Sequence, residues 1–230
     1  SLQTGITILP LSIGLFVFAL LGASLTTRFS PRRLVEVGLL SMLVGEVLLI
    51  GFTGPNLRSV GFAVALALVG AGLGLLASQL GNVIMSSVSP ERGSEAGGLQ
   101  GTAQNLGASL GTALIGSILI ASLVGNFQTA VLTNPALADV SSQLAATAEQ
   151  NANFVSAAQV ESAAQQAGLS AEQVDAIVTE YTDAQIVALK ASFAAIALFA
   201  LLALWYVRRL PTRAVGDEPP NDLALAEATG

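Results

Sequence analysis

Apolar positions along this chain gather into five long stretches, at about residues 5–27, 34–52, 60–88, 96–124 and 186–207, separated by polar turns. A helix rises about 1.5 Å per residue, so about 20 apolar residues in helical form cross the hydrocarbon core of a bilayer. Each stretch is about that long or longer. The pattern predicts an all-α, polytopic membrane helical bundle. Four spans fall in residues 1–124, a polar segment occupies 125–185, a fifth span covers 186–210, and a polar tail runs over 211–230.

The polar segment is rich in Ala, Gln and Ser. Ser156 with Gln159, and Ser170 with Gln173, have the spacing of helix-capping boxes, and Gly168 between them is placed to end a helix. Short surface helices are expected there. From Ser170 onward, Val174, Ile177, Val178 and Tyr181 keep helical spacing, which predicts a helix that runs on into the fifth span. The segment reads either as a solvated helical cap or as a gate or vestibule. The tail, with Pro219, Pro220 and scattered acids, reads as disordered.

Composition agrees with the span pattern: 53% of residues are hydrophobic, 10% are charged and the mean hydropathy is +0.70. The formal charge of −6 is not spread evenly, because eleven of the fifteen acids lie between Asp139 and Asp183 or from Asp217 on. Cysteine and histidine are both absent. Disulfides, thiolate chemistry, imidazole bases and the usual zinc or copper ligand sets are thereby excluded. With no nucleophile–base pair or metal constellation in view, the chain is read as no enzyme, with no cofactor or metal and no nucleic-acid partner. The first residues lack the positive charge of a signal peptide. Ser1 in place of Met suggests an excerpt from a longer protein.

Basic residues set the expected orientation. Arg28, Arg32, Arg33, Arg92, Arg208, Arg209 and Arg213 fall on one side of the spans, and Arg58 and Lys190 on the other. The positive-inside rule puts the larger group in the cytoplasm, with the 125–185 segment outside and the C-terminus inside. A multi-pass cell-membrane location is expected, and within it a bacterial inner membrane. Trp205 and Tyr206 suit the interface at the end of the last span. Five spans with an outside start imply further helices upstream.

Inside the spans the polar residues carry the functional information, because lipid offers them no partners. Gly97, Gly101, Gln104, Ala108 and Gly111 form one small or polar stripe of the fourth segment, flanked by Gly98, Thr102, Asn105, Ser109 and Thr112. Such a face suits tight helix packing or, at Gln104 and Asn105, the wall of an aqueous cavity. In the third segment Gly72, Gln79, Asn82 and Ser86 repeat the pattern, and Gln79 and Asn82 join the candidate cavity set. Glu46 is the one carboxylate well inside a span. It is the candidate for proton coupling or for attracting a cationic ligand, against a purely structural hydrogen-bonded acid. Glu36, near the end of its span, is expected to pair with Arg32 or Arg33. Pro10 removes a backbone donor from the first span and is expected to kink it.

The turn Gly22-Ala23-Ser24-Leu25-Thr26-Thr27-Arg28-Phe29-Ser30-Pro31-Arg32-Arg33 resembles the cytoplasmic loop signature of the major facilitator superfamily, a glycine followed by Asp-Arg-x-Gly-x-Arg-Arg. Thr27 replaces the Asp and Ser30 the second Gly, so Gly22, Arg28, Arg32 and Arg33 carry the likeness and the Asp's role does not transfer. The turn from Ser89 to Gly98, followed by Gln104 to Gly111, is similar to the fourteen-span drug:proton antiporter group. The resemblance implies part of the C-terminal half of such a transporter, namely its last five spans. It further implies export of small amphipathic or cationic molecules against protons by alternating access, with the lipid bilayer and the missing N-terminal half of the same chain as partners. Export of a lipid or native metabolite, or a non-transporting scaffold module, are the alternatives.

Overall fold

A computed structural model describes residues 2–26, 28–54, 59–86, 90–150 and 153–207, with the backbone alone for 2–4, 81–86 and 90. Thr27, Arg58, Arg208, Arg209, Arg213 and the whole 211–230 tail lie outside the described residues. Among the described residues seven α-helices follow one another: α1 (Leu2–Leu25), α2 (Pro31–Phe52), α3 (Val60–Ser86), α4 (Gly93–Thr133), α5 (Ser141–Gln150), α6 (Ala157–Gln166) and α7 (Ala171–Val207). Among the described residues five of these, α1 to α4 and α7, are long and apolar enough to cross a membrane. Helices satisfy their own backbone hydrogen bonds, which is what lipid demands of a spanning segment. The chain is a multi-pass, all-helical membrane protein.

The ends of the helices follow local chemistry. Past α1, which runs as one helix through Pro10, the N–H groups of Arg28 and Phe29 bond the Leu25 carbonyl at 3.0 and 2.9 Å. Pro31 opens α2, at a position where its missing N–H costs no helical bond. A single 3-10 turn, Pro90–Arg92, leads into α4, whose first turn holds Glu95 against the positive end of the helix dipole. The fourth helix continues to Thr133, past the apolar stretch that ended near 124, because Phe127 and Val131, one turn apart, are buried in a core of their own. The last helix likewise begins at Ala171, as the spacing from Ser170 onward predicts.

Two compact units divide the chain. One gathers Ser1–Gly45, Ala63–Gly107 and Phe199–Gly230, and the other Glu46–Phe62 and Ala108–Leu198. In the first, α3 lies against both α1 and α2, and glycines make the close approaches. A Cβ on Gly70 would strike the backbone of Leu11, and one on Gly74 the backbone of Leu15, so these two glycines face α1. A Cβ on Gly72 would strike Gly38 and Met42 of α2. Ser41 adds a hydrogen bond from its hydroxyl to the Leu68 carbonyl at 2.8 Å. With little hydrophobic drive between helices in lipid, such small-residue contacts and interhelical hydrogen bonds supply the packing energy.

The second unit contains a small helical cap with its own core: Leu123, Phe127 and Val131 of α4, Leu137, and Val174, Ile177, Tyr181 and Ala184 of α7. Phe127 and Tyr181 meet edge to face, with ring centroids 5.6 Å apart at 84°. Asn134 caps the 3-10 turn Pro135–Leu137 and donates from Nδ2 to Glu180 at 2.8 Å. Both expected capping boxes form, at Ser156 with Gln159 and at Ser170 with Gln173. Between them Gly168 takes φ 76°, and the N–H of Leu169 bonds the Ala164 carbonyl at 3.3 Å.

Candidate functional site

The sequence-predicted residues occupy distinct environments. Glu46 sits on α2 with 4% of its surface exposed, and its Oε2 has no hydrogen-bond partner among the described residues. Neighbouring Gly45 is buried, and a Cβ there would come within 2.9 Å of the Ala65 carbonyl oxygen and 2.7 Å of Val69. A short side chain inside a span cannot extend to the interface. No salt bridge reaches Glu46 among the described residues.

Gln79 is fully buried. Its Nε2 donates to the Gly22 carbonyl at 3.1 Å and to the Ser78 hydroxyl at 3.0 Å, while its Oε1 is left without a partner among the described residues. The structure thus joins two residues that the sequence placed in separate sets, Gly22 of the loop signature and Gln79 of the cavity set. Gly22 must be glycine for this: a Cβ would run into the Ser78 side chain. Gln79 shares a helical face with Gly72, yet Gly72 meets α2 while Gln79 reaches α1, and no residue spacing within α3 reveals that division. Asn82 lies on α3 as expected; its side chain is outside those described.

Arg32 pairs with Glu36 through Nε and Oε1 at 2.9 Å, one turn along α2, in agreement with the expected pairing. Arg28 and Arg33 are exposed. Gln104 and Asn105 are exposed as well, within an uninterrupted run of exposed residues from 102 to 114 on α4. Glycines 98, 101, 107 and 111 would each accept a Cβ with nothing described within 4 Å. Gly70, Gly72 and Gly74 of α3 are packing glycines, whereas Gly98, Gly101, Gly107 and Gly111 of α4 are open ones, a distinction invisible in composition.

Chemically, the described residues offer a buried intramembrane carboxyl, an interhelical amide clamp, a basic turn between two spans and an open polar helix face. No group of three or more metal-ligating carboxylates occurs among them. These are the parts of a membrane protein that moves solutes or packs helices. The model of the Major Facilitator Superfamily matches residues 1–141, and the chain belongs to that family. Among curated relatives, the tetracenomycin C resistance and export protein of Streptomyces glaucescens is 35% identical over 127 residues, covering 54% of this chain and 23% of the relative. The multidrug resistance protein Stp of Mycobacterium tuberculosis is 31% identical over 120 residues, 52% of this chain and 22% of the relative. The puromycin resistance protein pur8 of Streptomyces alboniger is 30% identical over 118 residues, 50% and 24% of the two chains. Each of these matches therefore spans less than a quarter of the relative's length. No solved structure matches the chain.

Proposed function

We propose that this chain is part of the C-terminal half of a proton-coupled exporter of amphipathic or cationic organic molecules that works by alternating access. Family membership and relatives whose names speak of drug resistance and export support the class. The structural observation that carries the mechanism is Glu46, a buried carboxyl inside a span with an oxygen that has no partner among the described residues. A carboxyl in that position can exchange a proton when a cavity opens to one side and then the other. Proton binding at such a group shifts the balance between two conformations only as far as its affinity differs between them.

In this reading Gln104, Asn105 and Asn82 line the solute path, which suits cargo with few fixed charges. Gln79 holds α1 to α3 in the present packing, with Oε1 available to a donor when those helices part. Gly22, Arg28, Arg32 and Arg33 form the basic cytoplasmic turn of an inner-membrane protein and bias conformations without touching cargo. Upstream helices of the same polypeptide complete the bundle.

The test uses the full-length parent in proteoliposomes with an imposed pH gradient, following efflux of a lipophilic cation. Gradient-driven efflux is expected in the wild type and is lost in Glu46→Gln, with protein yield unchanged. Efflux retained at the wild-type rate in the variant would remove Glu46 from the coupling path. A wild type that moves none of several organic cations under the gradient would overturn the drug-export reading.

A further inference from the structure

Residues of the cap's core line a half-open cavity of about 630 Å³, within the roughly 300–1,000 Å³ typical of small-molecule sites. Leu123, Phe127, Leu144, Val160, Ile177 and Tyr181 are among the apolar and aromatic residues that line it. Gln143, Thr147 and Asn153 supply polar groups, and no Asp, Glu, Lys or Arg lines it among the described residues. None of these is among the intramembrane groups used above.

The walls are fixed by hydrogen bonds that a ligand would not have to break. On α7, Tyr181 accepts from the Val155 N–H at 3.0 Å and Gln185 donates to the Val155 carbonyl at 2.7 Å, which pins the stretch of chain before α6. The Ser156 capping box holds the start of α6. From α4, Gln128 donates to the Ala145 carbonyl at 3.0 Å and holds α5. A site whose elements are tied in advance loses less conformational freedom when it binds. The lack of charge in the lining sets the ligand's chemistry, because an ion placed there would lose its hydration without gaining a counter-charge. The edge-to-face rings of Phe127 and Tyr181 add a surface suited to flat or aliphatic carbon.

We infer that the cap is a binding module for an uncharged, mostly apolar organic molecule of drug size, bearing one or two hydrogen-bonding groups. Such chemistry can come from an aromatic solute or from a single-chain neutral lipid. Binding is a property of the cap alone and does not depend on Glu46 or on proton coupling.

The chain contains no cysteine, so one introduced thiol reports by itself. The experiment takes the full-length protein in lipid nanodiscs, any cysteine outside this chain replaced by serine, carrying Ala148→Cys in the cavity wall or Ala158→Cys on the exposed face of α6. The rate of alkylation by a polar maleimide is followed with N-phenyl-1-naphthylamine, with monoolein and with neither. Occupancy slows labelling by one plus the ratio of ligand to Kd, so roughly fivefold slowing is expected at Ala148→Cys with ligand at about four times Kd, and none at Ala158→Cys. Protection by the naphthylamine identifies the aromatic source, and protection by monoolein the lipid source. Adding Ala163→Phe, which fills the cavity, should abolish either. Gln143→Cys repeats the assay from the same wall should Ala148→Cys not accumulate. Equal slowing at both positions, no slowing with either compound, or protection that survives Ala163→Phe overturns the inference.

Discussion

Gly168 is the one described residue with a left-handed backbone, and no atom lies within 4 Å of where its Cβ would be. Its requirement for glycine is therefore conformational and not steric. Gly168→Ala is expected to destabilise the cap by about 1–2 kcal/mol, the cost of placing a Cβ in that region. Thermal unfolding of the purified protein, with Ala167→Gly at the preceding position as a comparison, checks it; an unchanged transition in Gly168→Ala would mean that the turn relaxes freely. At this scale the sequence was readable wherever partners lie within one turn. The capping boxes at Ser156 and Ser170 and the Arg32–Glu36 pair join residues no more than one helical turn apart, and spacing alone reveals them. Gln79 was legible as a polar residue needing a partner, but Gly22 is 57 positions away, and nothing local names it.

Among the elements, α3 depends most on its small residues. Gly70 and Gly74, one turn apart, admit α1, while Gly72 admits α2 on the opposite side. Alanine at Gly70 would push against the Leu11 backbone, which cannot swing away as a flexible side chain could. Gly70→Ala is expected to cost about 1–3 kcal/mol, the usual penalty for overpacking a tight contact. Denaturant titration of the detergent-solubilised protein reads this directly, and a stability equal to wild type would show that α1 and α3 are not held at this spacing. The span pattern foretold α3 as a helix because backbone hydrogen bonding in lipid leaves an isolated span no other form. Which of its faces meets which neighbour depends on helix crossing, and periodicity within one helix carries no information about that.

For the molecule as a whole, the decisive contrast is between the packed glycines of α3 and the open ones of α4. A Cβ at Gly101 or Gly111 meets no described atom within 4 Å, so replacing either by leucine is expected to change the stability of this chain by no more than about 0.5 kcal/mol, as for most surface changes. If α4 presents this face to the rest of a transporter, the same substitution in the full-length protein abolishes export while membrane abundance is unchanged. Transport assays on Gly101→Leu and Gly111→Leu decide it, and export at the wild-type rate would remove α4's face from the solute path. The sequence by itself determined that the chain is helical and carries five segments able to span a membrane, because apolar length and the cost of unpaired backbone in lipid are properties of each segment alone. It also determined which polar residues needed explaining, Glu46, Gln79, Gln104 and Asn105 among them. Only the tertiary structure decided that Gln79 clamps Gly22, that Glu46 is buried with an oxygen unpaired among the described residues, and that the cap forms a half-open cavity. Each of those depends on residues far apart in sequence meeting in space, and the free energy of such meetings is set by how whole helices pack against one another.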